Sequence, residues 1–207
     1  MGEHVWVSNA RADSRLILIV KTDIAETAPD RSIDAERRNH AGKPVPADMC
    51  PRRIWNESDE PPITSLPDVF YANSYWIVSA ELAAIIGRAD LGEGALYPVS
   101  EGVFQADRES RVPGDFFTWT FGNEKRAFLE RQSPKAEPFI GMTTRDWCTL
   151  PAIMEDDAMV VSKAALAGPD IWVDPLLFKS IFLSGPLGDT LGPKFRKALR
   201  LFRCPVA

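Results

Sequence analysis

The 207 residues predict an α+β fold in one domain: a mainly antiparallel sheet of short strands carrying a few short helices. Three observations lead there. Apolar residues fall in short runs rich in β-branched and aromatic side chains, which is strand length and strand composition. Seventeen prolines and thirteen glycines cut the chain into short elements and argue against a bundle of long helices. Turn chemistry recurs between the runs, most densely in Gly168–Leu191, GPDIWVDPLLFKSIFLSGPLGDTL, where two apolar runs are separated by fixed corners.

The elements follow in order. Val5–Val7 and Leu16–Val20 read as strands around a polar turn, Ser8–Ser14, the second also compatible with a buried helical segment by periodicity alone. Residues 22–50 are polar and charged with scattered apolar positions. They read as an exposed excursion, mobile or partner-facing, holding one or two helical turns over Ile33–Asn39. Arg52–Trp55 is a strand ahead of the acidic, proline-rich NESDEPPITSLPD. Val69–Tyr71 and Tyr75–Val78 flank an Asn73-Ser74 turn. Ser79 then caps a helix over AELAAII, whose Leu82, Ala83, Ile85 and Ile86 share a face, with Gly87 as its stop.

Leu96–Val99, Gly102–Gln105 and Phe116–Phe121 read as strands. In the last, Phe117, Trp119 and Phe121 alternate with Phe116, Thr118 and Thr120, as a pleated strand requires. Lys125–Arg131 admits helix or edge strand, and 133–146 is a proline-bearing loop. Trp147–Leu150 and Met159–Val161 are short strands, and Ser162 opens a helical turn through Leu166. Ile171–Val173 is a strand broken by Asp174-Pro175, because the residue before proline is pushed out of the helical region. Ile181–Leu183 leads to Ser184 as an N-cap with Pro186 in the first turn of a short helix. At the C-terminus Phe195, Leu199 and Phe202 sit at helical spacing among five basic residues. Such a stripe docks on the parent domain or binds an acidic partner or a membrane.

Composition excludes several classes. A net charge of −5 gives no reason to expect nucleic acid and makes a basic partner the natural electrostatic match. No apolar run reaches the roughly 20 residues of a membrane-crossing helix, and the first residues lack the basic and apolar regions of a secretory leader. Cys50, Cys148 and Cys204 are odd in number and widely spaced, which fits reduced thiols in a cytoplasmic protein rather than a CxxC site.

Chemistry-bearing motifs are few. The glycines of ADLGEGALYPV do not form a phosphate loop, and there is no GxSxG, HExxH or dinucleotide fingerprint. His4 and His40 both lie in polar contexts. Glu155-Asp156-Asp157 lacks the spacing and closing glutamate of a calcium loop and reads as a solvated turn. Asp170 and Asp174 flank Trp172 either as an exposed binding pair or as turn caps around a buried indole. The expectation is therefore no catalytic, metal or cofactor site, with partner-binding residues undefined.

Three pieces carry a resemblance: Ile77–Val99, the strand FFTWTF, and Met159–Leu191. Within them Ser79, Tyr97-Pro98-Val99, Ser162, Asp170-Ile171-Trp172 and Phe182-Leu183-Ser184 stand in the order shared by a bacterial family first catalogued as a domain of unknown function. That family was later assigned by genomic context as the eleventh immunity-protein family of polymorphic toxin systems. The resemblance is strongest over 69–191 and loose over residues 1–60. It implies a cytoplasmic α+β protein without catalytic residues that neutralises a cognate toxin domain by direct protein–protein binding. The alternative is an enzyme or small-molecule-binding domain with an aromatic-lined pocket near Trp119 or Trp172.

Overall fold

Asn73 and Ser74 both take left-handed backbone angles (φ 46° and 71°), the pair that closes a two-residue hairpin. The computed structural model describes this hairpin within residues 3–58, 61–138, 147–151 and 153–207. The strands are β1 (His4–Ser8), β2 (Val20–Thr22), β3 (Arg53–Asn56), β4 (Val69–Ala72), β5 (Tyr75–Ser79), β6 (Ala95–Pro98) and β7 (Gly102–Phe104). They continue as β8 (Arg111–Val112), β9 (Phe116–Thr120), β10 (Glu137–Pro138), β11 (Cys148–Thr149), β12 (Ile171–Val173), β13 (Ile181–Ser184) and β14 (Leu201–Pro205). The helices are α1 (Asp23–Thr27), α2 (Pro29–His40), α3 (Ala80–Ile86), α4 (Gly185–Thr190) and α5 (Pro193–Ala198). The class is α+β and mainly sheet; no described helix is long and apolar enough to cross a membrane.

Three four-stranded sheets run in the orders β12-β13-β1-β14, β4-β5-β9-β6 and β2-β3-β7-β8, beside the two-stranded β10-β11. Pairing is antiparallel except between β3 and β7. The β4-β5-β9-β6 sheet is covered on both faces. Val69, Tyr71, Trp76 and Val78 point into a core shared with the first sheet and α3, α4 and α5, while Phe70, Ala72, Tyr75 and Ile77 point into a second core under the third sheet. A third core on the outer face of the first sheet holds Val5, Val7, Trp172 and Phe182. Burial on both faces is why these strands read as unbroken apolar runs rather than alternating ones.

The β4-β5-β9-β6 and β12-β13-β1-β14 sheets repeat one arrangement of elements as two units. In the first, Asp68 precedes the β4–β5 hairpin; the Ser79 hydroxyl donates to Asp68 Oδ1 (2.8 Å) and accepts from the Leu82 N–H at the start of α3 (3.4 Å), and the Ser79 N–H donates to the Asp68 carbonyl (2.9 Å). In the second, Asp170 precedes the β12–β13 pair. The Ser184 hydroxyl donates to Asp170 Oδ1 (2.5 Å) and accepts from Leu187 N–H at the start of α4 (3.3 Å), and Ser184 N–H donates to the Asp170 carbonyl (2.8 Å). SAELAAIIG and SGPLGDTLG thus align at their starts, Ser79 with Ser184 and Leu82 with Leu187. Each unit then sends an edge strand (β6, β14) and takes a central strand (β9, β1). The units differ in the source of that central strand: β9 follows its own unit, whereas β1 is the opening strand of the chain.

Three expectations need correction. Residues 22–50 are no excursion: Ile24, Ala35, Val45, Met49 and Cys50 lie in the second core. Helix α2 docks with small and polar residues, and Asn39 Oδ1 accepts the Phe121 N–H (2.8 Å), so a search for large apolar side chains passes over it. Leu16–Val20 is not one strand. Asp13 caps a 3₁₀ turn at Ser14–Leu16 through the Arg15 N–H, Ile17 makes a single bridge to Tyr71, and only Val20 enters β2. The C-terminal helix ends at Ala198; Arg200 (φ 46°) turns the chain and Leu201–Pro205 runs beside β1. Phe195 and Leu199 do dock, in the first core. Of the smaller readings, Lys125–Arg131 is irregular up to a 3₁₀ turn at Glu130–Gln132, and Val161 makes isolated bridges only. A 3₁₀ turn spans Lys163–Leu166, without a side-chain cap from Ser162. The 133–146 loop lies outside the described residues over 139–146.

Candidate functional site

The resemblance residues Asp170 and Ser184 line a cleft of about 440 Å³ at the end of the first sheet. The hairpin β12–β13 brings them together, β1 adds His4 and Val5 with Glu3 just before it, and the segment before Asp170 adds Leu166. The Ser184 proton goes to Asp170 and its lone pair takes the Leu187 N–H, so the hydroxyl is spent on capping and is not set up as a nucleophile. Asp170 Oδ2 accepts the Asp90 N–H (2.8 Å), which ties the cap to the segment after α3. On the opposite wall Asp189 Oδ1 lies 3.2 Å from His4 Nε2 and accepts the Trp6 indole N–H (3.1 Å).

Lys125 is the half-buried cation of this cleft. Its Nζ donates to the carbonyls of Pro169 (2.7 Å) and Ala165 (3.3 Å) and stands 3.8 Å from the centre of the Trp172 ring. Burial pulls its pKa down to about 8, against the opposing pull of the Asp170 and Asp90 carboxylates. With two carbonyls and a ring face as partners, the ammonium works as a strut under the Gly168–Asp170 turn. What the cleft offers outward is a carboxylate wall, Glu3 and Asp189, beside the exposed Leu166.

Of the two readings of Asp170 and Asp174, the turn caps are what the structure contains. Asp174 is 3% exposed; Oδ2 accepts the N–H groups of Ala127 (2.7 Å) and Phe128 (2.8 Å), and Oδ1 that of Leu176 (3.0 Å). Trp172 is fully buried and stacks on Phe182, 5.6 Å between centroids. Trp119, also fully buried, packs edge-on against Trp76 and Phe121. Both indoles are packed in cores and line neither the Ser184 cleft nor the cavity beside Trp147.

An aromatic-lined cavity does exist elsewhere, about 300 Å³, where Trp147 stacks on Phe178 at 5.1 Å. His40, Lys179 and Asp174 also line it. Beside it a single carboxylate, Glu36, gathers Lys179 (3.6 Å), His40 (3.7 Å) and Arg11 (3.9 Å). Burial, reinforced by Lys179 and Arg11, depresses the His40 pKa to about 3, so the imidazole is neutral at pH 7 and its approach to Glu36 is not an ion pair. No sequence signal marks this cavity, because its walls come from α2, the Glu124 loop, Trp147 and the β12–β13 connection.

The acidic triplet forms a turn with local partners. Glu155 pairs with Lys135, Asp156 Oδ1 accepts the Arg203 N–H (2.8 Å), and Asp157 takes the Arg203 guanidinium (3.0 and 3.1 Å). Among the described residues no group of three or more His, Cys, Asp or Glu is arranged to hold a metal ion. The three cysteines are free and buried, and burial raises all three thiol pKa values, that of Cys50 to about 12. Compared with protein-family models, curated proteins and solved structures, the chain finds no significant match in any of the three.

Proposed function

We propose that this chain is a cytoplasmic, non-enzymatic binding protein that neutralises a cognate bacterial toxin by direct protein–protein contact. The observation that carries the reading is what the resemblance residues do. Ser79 and Ser184 occupy the same position in the two units, and Asp170 holds Ser184 as Asp68 holds Ser79. A family that shares such residues shares a rigid frame, and a rigid frame suits a protein whose work is to present a preformed surface, since little entropy is then lost on binding. Co-expression with the toxin-like product of the adjacent reading frame tests the reading: growth is rescued and a 1:1 complex elutes from a sizing column. An active toxin that this folded protein neither binds nor restrains overturns it.

The Trp147–Phe178 cavity favours a second reading, a small-molecule site walled by an aromatic pair and charges of both signs. A ligand screen by thermal shift, repeated on Trp147→Ala, separates it from the first.

A further inference from the structure

We infer that the outer face of α5 and the turn after it is the surface on which an acidic patch of the toxin docks; the inference rests on the binding reading above. Arg196, Lys197 and Arg200 stand there around a cleft of about 330 Å³ that also exposes Trp6 and Phe202. Their basic neighbours are already engaged: Lys194 pairs with Glu81 (2.6 Å) and Asp68 (3.2 Å), and Arg203 with Asp157 (3.0 Å). Among the described residues no ion pair occupies Arg196, Lys197 or Arg200. Asp156, the carboxylate in the cleft, accepts the Arg203 backbone N–H, and Asp13, whose charge Arg200 does feel, is bonded by Arg15 (2.6 and 2.8 Å). Three neighbouring cations with no ion pair among the described residues, against the one carboxylate of Asp156 in the same cleft, leave this face locally basic on a chain of net charge −5.

Two further features separate this face from a merely solvated one. Arg200 has φ 46°, a conformation where glycine or asparagine is the usual helix-ending residue. The other basic residues with positive φ have engaged side chains: Arg108 bonds Glu26 (3.0 and 3.1 Å) and covers Trp55, and Lys179 reaches Glu36 (3.6 Å). Arg200 keeps a positive φ while its guanidinium enters no ion pair among the described residues. Arg196 lies 5.5 Å from the centre of the Trp6 ring, and that ring is anchored by its N–H on Asp189 (3.1 Å). A guanidinium held over a fixed indole loses little freedom on meeting a carboxylate, and Arg with Trp is the composition that dominates binding at protein interfaces. The net negative charge favours a basic partner at long range, but contact is decided by the local patch, and this one selects carboxylates.

The apolar side of α5 and all of β14 are structural, so deleting the C-terminus would test folding rather than docking. Charge reversal is the clean probe. The complex between this chain and the adjacent-frame toxin is titrated with wild type, with R196E/K197E/R200E, and with K43E/R131E/K163E, which makes the same change in net charge at exposed positions elsewhere. The triple reversal on the α5 face weakens binding by about 100-fold or more and flattens its salt dependence, while the control stays within about threefold. R200G, which relieves the positive φ, leaves the thermal midpoint unchanged or higher yet weakens binding several-fold. Wild-type affinity in the α5-face triple variant overturns the docking face and leaves the immunity reading standing. Absence of any wild-type complex retires both. Retention of toxin by the reversed variant, with loss of binding to a 20-mer oligonucleotide that wild type holds, assigns the face to nucleic acid and overturns the inference as well.

Discussion

His40 shows how one buried side chain sets a pH limit on the whole protein. In the unfolded chain its imidazole titrates near 6.5; in the fold, burial and the charges of Lys179 and Arg11 lower that to about 3. Between those two values the unfolded state binds a proton the folded state refuses, so stability is complete above 6.5 and falls as the pH drops toward 3. At pH 5 this group alone removes about 2 kcal/mol relative to pH 7. Urea unfolding at the two pH values measures the difference, and His40→Gln is expected to lose most of it; an unchanged pH slope in that variant would place the loss on other groups. The cysteines behave oppositely: burial keeps them as thiols at any physiological pH.

The paired units let one element explain another. Trp6 of β1 stands opposite Leu183, where Phe117 of β9 stands opposite Val78, and Gly188 of α4 occupies the position of Ala83 in α3. A Cβ on Gly188 would sit 2.0 Å from the Trp6 ring, so the wider indole is why this helix carries glycine in its interior despite glycine's cost there. Gly188→Ala is expected to destabilise by about 1–3 kcal/mol through overpacking. Adding Trp6→Phe, which rebuilds the pairing found in the first unit, recovers at least about 1 kcal/mol of that, so the double variant is more stable than the sum of the singles. Denaturant unfolding of the four proteins reads the coupling; additive losses would mean that the two units do not pack alike. The local signals of these elements were legible in the residues: the Ser79 and Ser184 caps, the Asn73-Ser74 turn, and the split of Phe116–Phe121 into two faces. Helix α2 was legible only as helical turns over Ile33–Asn39, and its docking was not, since Ser32, Ala35 and Asn39 make its contact by small size and hydrogen bonds rather than apolar bulk.

What spans the molecule was the least legible, because it is built from pairings between distant positions. The β1–β14 register joins His4 to Pro205 and Ser8 to Leu201, and no local pattern announces a partner so far along the chain. LRLFRC therefore read as the end of a helix, and the basic face around Trp6 and Arg200 was invisible until both ends of the chain lay side by side. The same pairing states what the chain would be as a plain tandem repeat: hairpin, capped helix, edge strand and central strand, twice, with the last strand moved to the front. Moving it back is a test. The Val206 N–H donates to the Glu3 carbonyl (3.3 Å), so a few glycines between Ala207 and Met1 can close the chain. Ile17 is 60% exposed, so the closed chain opens between Ile17 and Leu18 without cutting a core residue. In that permutant β1 follows β14 directly, a long loop no longer has to close before the first sheet forms, and local pairing lowers the entropic barrier. The permutant is expected to keep its circular dichroism, to melt within a few degrees of the parent, and to refold several-fold faster. Equal refolding rates would show that β1 joins its sheet after the rate-limiting step, and failure to fold would mean that the contacts of Ser8–Leu16 tie the two units together and cannot be made from the other end of the chain.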